Sequence, residues 1–305
     1  FQFSRNSAAT RVNAQGLVEN VQILSSNLVS NGDFSQEGVQ EISNGSFSQE
    51  GSELVTNGDF ATDADWLLEN GAVINNGSVN LLGNNSRFRQ TPLISGKSYK
   101  LVYEVISTDG GSFRFQDGVT AFIDVPQTIG IHTYYFKSTG DRVQFQATSA
   151  IDARIDNVSV KEVGQDWTLG TGWSIGEDKI IKISGIASAL SQSVPTTIIG
   201  KTYKLTFDAI VTSGLANATL YGITIPAFST SGSQEHFITA TSINGFIFYA
   251  TALLNGSITN ISVKEVGQNW TQTSNNWSFG NNKAIADGTS QGSLQQSIST
   301  IAVGS

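Results

Sequence analysis

Five tryptophans, two histidines and a few acidic pairs are the side chains of this 305-residue sequence with chemistry to offer. His132 and His236 stand in corresponding places 104 positions apart. A single imidazole per repeat cannot build a histidine metal cluster or anchor a nucleophile–base–acid constellation on its own. The carboxylate pairs Asp63/Asp65 and Glu177/Asp178 have the residue types of a glycoside hydrolase acid–base pair. They sit in Gly-rich polar turns, and the pairs do not correspond between repeats. The expectation is therefore a protein that is not an enzyme. The tryptophans are Trp66, Trp167, Trp173, Trp270 and Trp277. An indole face flanked by carboxylates can hold a sugar ring, the ring stacking on the aromatic plane while carboxylates accept hydroxyl protons. The stretch 166–178 offers that set in Trp167, Trp173, Asp166, Glu177 and Asp178. Two other readings compete: indoles buried in a core, and indoles at an interface between protomers.

The elements that must position these residues follow from a repeat. "DNVSVKEVGQDW" at 156–167 returns as "TNISVKEVGQNW" at 259–270. "GKSYKL" at 96–101 returns as "GKTYKL" at 200–205, and "GWSIG" at 172–176 as "NWSFG" at 276–280. Fixed-period self-similarity marks tandem modules. The boundaries are a first module at 53–163, a second at 164–266, and the start of a third, incomplete one at 267–305. Within each module the pattern is β. Tyr99, Leu101, Tyr103 and Val105 alternate with Lys100, Val102, Glu104 and Ile106, and Tyr203, Leu205 and Phe207 repeat the alternation. Period two with the larger apolar set on one side predicts strands packed on a core. Similar short runs separated by Gly, Asn and Asp turns give about eight strands per module, the make-up of a sandwich or jelly roll. The duplicated twelve residues carry Val158 and Val160, or Ile261 and Val263, on one face, and so read as a structural seam that hands one module to the next.

A finer repeat precedes the modules. "NGDFSQEG" starts at Asn31, "NGSFSQEG" at Asn44 and "NGDF" at Asn57, a spacing of 13. Asn-Gly favours tight-turn geometry, so each unit is a short strand and a turn, too small for a core of its own. Residues 1–52 are expected to be an attachment and assembly segment that packs on neighbours or on other chains. The fold class is thus all-β: tandem β-sandwich (jelly-roll) modules preceded by an extended strand–turn segment.

Composition supports this and excludes several function classes. Charged residues make up 14%, while Gly numbers 31; this suits short strands and turns rather than helices. A net charge of −8 gives no basic footprint for nucleic acid, and no apolar run reaches the ~18 residues of a membrane-spanning helix. With no Cys there are no disulfides and no thiolate metal sites. The sequence opens on Phe1 and has no Met, which reads as a processed product or a segment.

The module that opens "LVTNGDF…DW", carries "SGKSYKL" and closes "IDNVSVKEV" resembles the carbohydrate-binding jelly rolls of the galactose-binding-like superfamily. The stretch "FSRNSAATRVNAQGLVE" at 3–19 is similar to one found near lectin-like modules in tail and fibre proteins of tailed bacteriophages. The resemblance implies a virion appendage on the outside of the particle, partnered by other virion proteins and by copies of itself as a homo-oligomer. It also implies binding of a cell-surface host glycan by the modules. A secreted bacterial multi-module carbohydrate-binding adhesin is the alternative. Jelly rolls of this type hold a structural calcium between the entry turn and the final strand, and Asp59 and Asp156 match those positions in the first module. The second has Thr259 in place of the latter. No other cofactor is implied.

Overall fold

The computed structural model describes residues 10–12, 14–20, 28–118, 122–194, 197–273, 276–288 and 291–297. It has two compact units, residues 38–265 and residues 1–37 with 266–305. The described residues form strands and turns with no helix.

The larger unit holds two antiparallel sandwiches of the same topology. In the first, one sheet runs in the order Phe122–Ile123, Phe113–Gln116, Val143–Ala147, Arg87–Gln90, Leu67–Glu69. The facing sheet runs Gly130–Lys137, Ser98–Thr108, Asp152–Val163, Val79–Leu82, Val73–Ile74. The second sandwich repeats this order with Ile223–Thr224, Ala216–Leu220, Phe246–Ala250, Ser188–Gln192, Thr168–Leu169 against Gly232–Thr239, Thr202–Ser213, Asn255–Val266, Lys179–Lys182, Trp173–Gly176. Alternation sets which face is inside: Tyr99, Leu101, Tyr103 and Val105 are all buried, as are Tyr203, Leu205 and Phe207. The cores are aromatic, with Phe88 stacked on Phe145 at 5.2 Å in the first and Phe207 edge-on to Phe248 at 4.9 Å in the second.

The duplicated seam now has a physical reason. Asn157 and Asn260 take positive φ (51° and 54°) at corresponding points, and in the first module this is where the register of the closing strand against Ser98–Thr108 shifts. Their side-chain amides donate to Glu104 and Asp208, each at 2.8 Å. Beyond the bulge Val158, Val160, Ile261 and Val263 are buried. Asn tolerates the left-handed backbone that such an irregularity needs better than other side chains do.

The 13-residue units take the first of the two alternatives and pack on neighbours, so the boundary at 52 shifts. Residues 38–52 are parts of the two sandwiches. Glu50–Glu53 pairs with the closing strand Asp152–Val163, and Glu37–Gln40 with Asn255–Val266. The turn at Asn57 belongs to the first module: Trp66 Nε1 donates to Asn57 O at 2.9 Å, Phe60 meets Trp66 at 5.3 Å, and Gln90 grips Thr56 through its backbone N and O. The turn at Asn44 belongs to the second: Trp167 Nε1 donates to Asn44 O at 3.1 Å, Phe47 meets Trp167 at 5.1 Å, and Gln192 grips Ser43. A 13-residue unit has no core to bury its Phe in, and sinking that ring into a sandwich contributes roughly 1.5–3 kcal/mol. Each unit therefore packs its Phe into a sandwich and adds its strand beside that sandwich's closing strand.

The smaller unit shows the same lock a third time. Trp270 Nε1 donates to Asn31 O at 3.0 Å, Phe34 meets Trp270 at 5.3 Å, and Gln296 grips Ser30. The units at 31, 44 and 57 thus serve the modules in reverse order, so the chain is nested. Within this unit Trp277–Gly280 and Lys283–Ala286 form a hairpin, and Thr271–Gln272 pairs with Leu294–Gln295. Near its start Thr10–Val12 pairs with Val18–Asn20. The rest of the phage-like stretch, residues 3–9 and 13, lies outside the described residues.

Candidate functional site

The sugar platform expected at 166–178 does not assemble. Trp167 and Trp173 are buried in the second core, 8% and 3% exposed, so neither presents a face. Trp167 is held by the entry turn, and Trp173 pairs across the hairpin with Lys182. Glu177 and Asp178 are exposed at the turn of that hairpin, and both raise the pKa of the Tyr135 phenol, which burial raises first. Asp166 is exposed on the seam turn and lines a polar cleft of about 720 Å³ in which Lys97 lies 3.0 Å from Glu162. The ion pair Lys201–Glu265 at 3.2 Å repeats it one module on, which marks it as part of the seam. The signal that misled was residue type: Trp beside carboxylates in sequence says nothing about which side of the sheet each faces.

Asp59 and Asp156 do approach one another. Burial pushes the Asp156 carboxyl up, and the like charges of Glu104 and Asp59 add to this. Asp59 caps its own turn by accepting from Ala61 N, and Asp156 accepts from Asn157 N. Among the described residues no three His, Cys, Asp or Glu side chains gather into a group that could hold a metal ion. Two carboxylates would begin the six to eight oxygens that calcium takes, with backbone carbonyls to supply others. In the second module Thr259 donates to Asp178 O at 2.6 Å, a protein contact in place of an ion ligand. Of the histidines, His132 lies against Thr128 O, and burial lowers the pKa of His236 beside Phe207.

A different face has the geometry of a site. On the outer side of the second module's five-stranded sheet, Ala189, Tyr249 and Asn217 stand in one cross-strand row. The strand "FIFYA" sends Phe246, Phe248 and Ala250 into the core and turns Tyr249 outward, 47% exposed. Around it lies a cavity of about 610 Å³ whose walls are almost wholly apolar, with Ala187, Ala227 and Leu215 among them. The buried Oδ1 of Asn217, on the wall, has no hydrogen-bond partner in the protein. Thr251 and Ser188 also line it, but their hydroxyls donate to Leu215 O and Thr171 O. The loops at one end meet through Gly185 N donating to Ala252 O and Ser213 Oγ to Leu253 O, and they expose Ile183, Ile186 and Leu253. An exposed apolar surface with an aromatic floor and an unmatched acceptor is what a ligand pocket looks like. The alternation of "FIFYA" predicts Tyr249 outward; nothing local predicts the three alanines that clear space around it.

The corresponding row of the first module is filled with charge. Arg87, Gln146 and Arg114 take the places of Ala189, Tyr249 and Asn217. Arg87 forms a two-point pair with Glu69, at 2.8 and 3.1 Å, and Arg114 lies 2.8 Å from Asp124. That sheet face carries ion pairs where the second carries a pocket.

Comparison by sequence matches no family model and no curated protein. By structure the chain is similar, at 10% identity in each case, to three solved proteins. The N-terminal CBM22-1–CBM22-2 tandem domain of Xyn10C from Paenibacillus barcinonensis is covered over 98% of its length by 71% of this chain, with a TM-score of 0.29. A fucolectin from striped bass (Morone saxatilis) serum is covered over 85% of its length by 62% of this chain, at 0.22. A chain of the Sulfolobus turreted icosahedral virus is covered over 62% by 69%, at 0.21. Likenesses of this degree add nothing about the site, which rests on the geometry above.

Proposed function

We propose that the second module is a carbohydrate-binding module and that Tyr249 is its platform. The observation that carries this is the apolar cavity around the outward Tyr249, with the unmatched Asn217 Oδ1 beside it. The C–H face of a pyranose stacks on the phenol ring, and turning the Asn217 side chain outward lets its Oδ1 accept from one sugar hydroxyl. The three alanines leave room for the ring, and the low polarity of the walls favours a sugar or substituent with an apolar edge. A single shallow site of this kind binds weakly, with Kd of roughly 1 mM, about −4 kcal/mol. Repetition on an oligomer raises avidity by about 10²–10⁴ where sites engage together. The setting we propose is an appendage of a tailed-phage particle, outside the cell, where copies of the chain display the site to host surface glycans. The stretch "SRNSAATRVN" supports that setting.

Screening the full chain on a glycan array, with Tyr249→Ala and Ala189→Arg as comparators, tests the reading. Binding lost in both variants supports it. Binding equal in all three removes the site, and no binding by any of them leaves the modules purely structural.

A further inference from the structure

Inside the second module one cross-strand row is chemically unlike its counterpart. Trp173, Lys182 and Gly256 stand opposite one another on three adjacent strands. In the first module Leu81 and Ala153 take the places of Lys182 and Gly256, and Ala72 that of Trp173. All three are buried and apolar. The second module thus sinks two hydrogen-bond donors where the first has none: Trp173 is 3% exposed and Lys182 1%. An ammonium carries three N–H groups, and Ile183 O, at 2.5 Å, accepts from the Lys182 amine. The indole Nε1 of Trp173 is buried with no hydrogen-bond partner in the protein. Trp173, Lys182 and Gly256 line one cavity of about 10 Å³, walled by Phe228 and Leu254. That is the space of a single water-sized sphere. Gly256 can only be glycine, since a Cβ there would lie 2.1 Å from Ile210 O. Among the described residues no carboxylate lines the cavity. Burial alone lowers the pKa of Lys182, with no acid drawing it the other way.

We propose that Trp173 and Lys182 hold one halide ion, chloride in ordinary salt, inside the second module. The ion accepts from the indole N–H and from the remaining amine protons. It also supplies the negative charge that no side chain of the cavity supplies. An unpaired ammonium in an apolar interior is costly, and the same low polarity strengthens its attraction to a counter-ion. A water molecule there would accept the same hydrogen bonds and leave the charge uncompensated. The size of the cavity limits the guest to one atom, which rules out sulfate, phosphate and carboxylates. Ile210, exposed on the surface, also lines the cavity and gives the ion a short way in.

The test is thermal unfolding of the whole chain in sodium chloride against sodium gluconate at equal ionic strength, so that general screening is the same in both. Chloride should raise the transition of the second module by several degrees, and saturably. The first module, with Ala72 and Leu81 at the corresponding places, should not respond and serves as the internal control. Trp173→Phe keeps an aromatic ring and loses the donor. It should raise the half-saturating chloride concentration at least about tenfold. Lys182→Leu should abolish the response. Crystals grown in bromide should show an anomalous peak between the two side chains. An equal response of both modules, a response that Lys182→Leu leaves intact, or a bromide crystal with no peak there overturns the proposal. The absence of any chloride response overturns it too, and leaves the amine neutral or bound to water. Should either variant fail to fold, the wild-type comparison and the anomalous peak still decide. The glycan array bears on none of these outcomes.

Discussion

The two sandwiches of the larger unit share strand order, closing strand, entry turn and core, and differ on one outward face. In the first, Arg87, Gln146 and Arg114 occupy that face, with Glu69 and Asp124 pairing the two arginines. In the second, Ala189, Tyr249 and Asn217 open a cavity there. Side chains pointing away from the core carry little of the fold's stability, so that row can change wholesale while the sandwich stays. The inward counterparts cannot diverge so freely. Where they do, as with Leu81 against Lys182, the cost is visible: the lysine is 1% exposed, its amine donates to Ile183 O, and burial pushes its pKa down.

The sharpest way to break the comparison is at what the modules share. Trp66→Ala and Trp167→Ala should each cost about 3–5 kcal/mol, because each removes a buried indole, its bond to the entry turn and the contact with Phe60 or Phe47. Urea unfolding should show loss of one transition in each variant, the other module being little affected. Gly45→Ala and Gly58→Ala should cost about 2–4 kcal/mol, since the added Cβ would lie 1.9 Å from a closing-strand carbonyl that cannot retreat without breaking its ladder.

At Lys182 the comparison sharpens in a different direction. Lys182→Leu restores the first module's residue and should stabilise the second by on the order of 1 kcal/mol at neutral pH. The sign with pH follows from the lowered pKa. Between the folded and the unfolded pKa the unfolded chain binds more protons, so the wild type gains stability as pH rises through that window and the advantage of Leu shrinks. Denaturant titrations at neutral and mildly alkaline pH check it. A constant advantage would mean the amine is already solvated.

The smallest effect is expected at Asp156. Its folded pKa is raised, so the contribution is favourable below the unfolded value near 3.8 and is lost as pH rises through the folded one. Asp156→Asn should therefore stabilise the first module by about a few tenths of a kcal/mol at neutral pH, because the site is partly solvated. The gain should vanish in acid. Thermal unfolding with added calcium separates this from an ion site: a rise in the wild type that the variant lacks would place calcium at Asp59 and Asp156.

Much of the architecture was legible in order. Alternation in "SYKLVYEVI" and "TYKLTFDAI" assigned the inner faces without any long-range knowledge, because the side-chain period of a strand is two and a buried face tolerates no slip. The repeat of "NVSVKEVGQ" as "NISVKEVGQ" announced a structural seam, since its apolar residues fall on one face. What stayed hidden was pairing over distance. Trp66 reaches a turn nine residues away, but Trp167 reaches one 123 away and Trp270 one 239 away. A 13-residue repeat looks alike whichever module it serves, so the nested order, and with it the membership of residues 38–52, was settled only by which sandwich each unit packs into. The site was hidden for a related reason. Trp167 and Trp173 carry the residue type of a sugar platform, but their side of the sheet is the core. Tyr249 faces outward by the same alternation, and only the packing of three strands and two loops put Ala187, Ala189 and Ala227 around it. Sequence determines which way a side chain leaves its strand; whether it then meets a core, an ion pair or open space depends on neighbours that only the folded chain brings together.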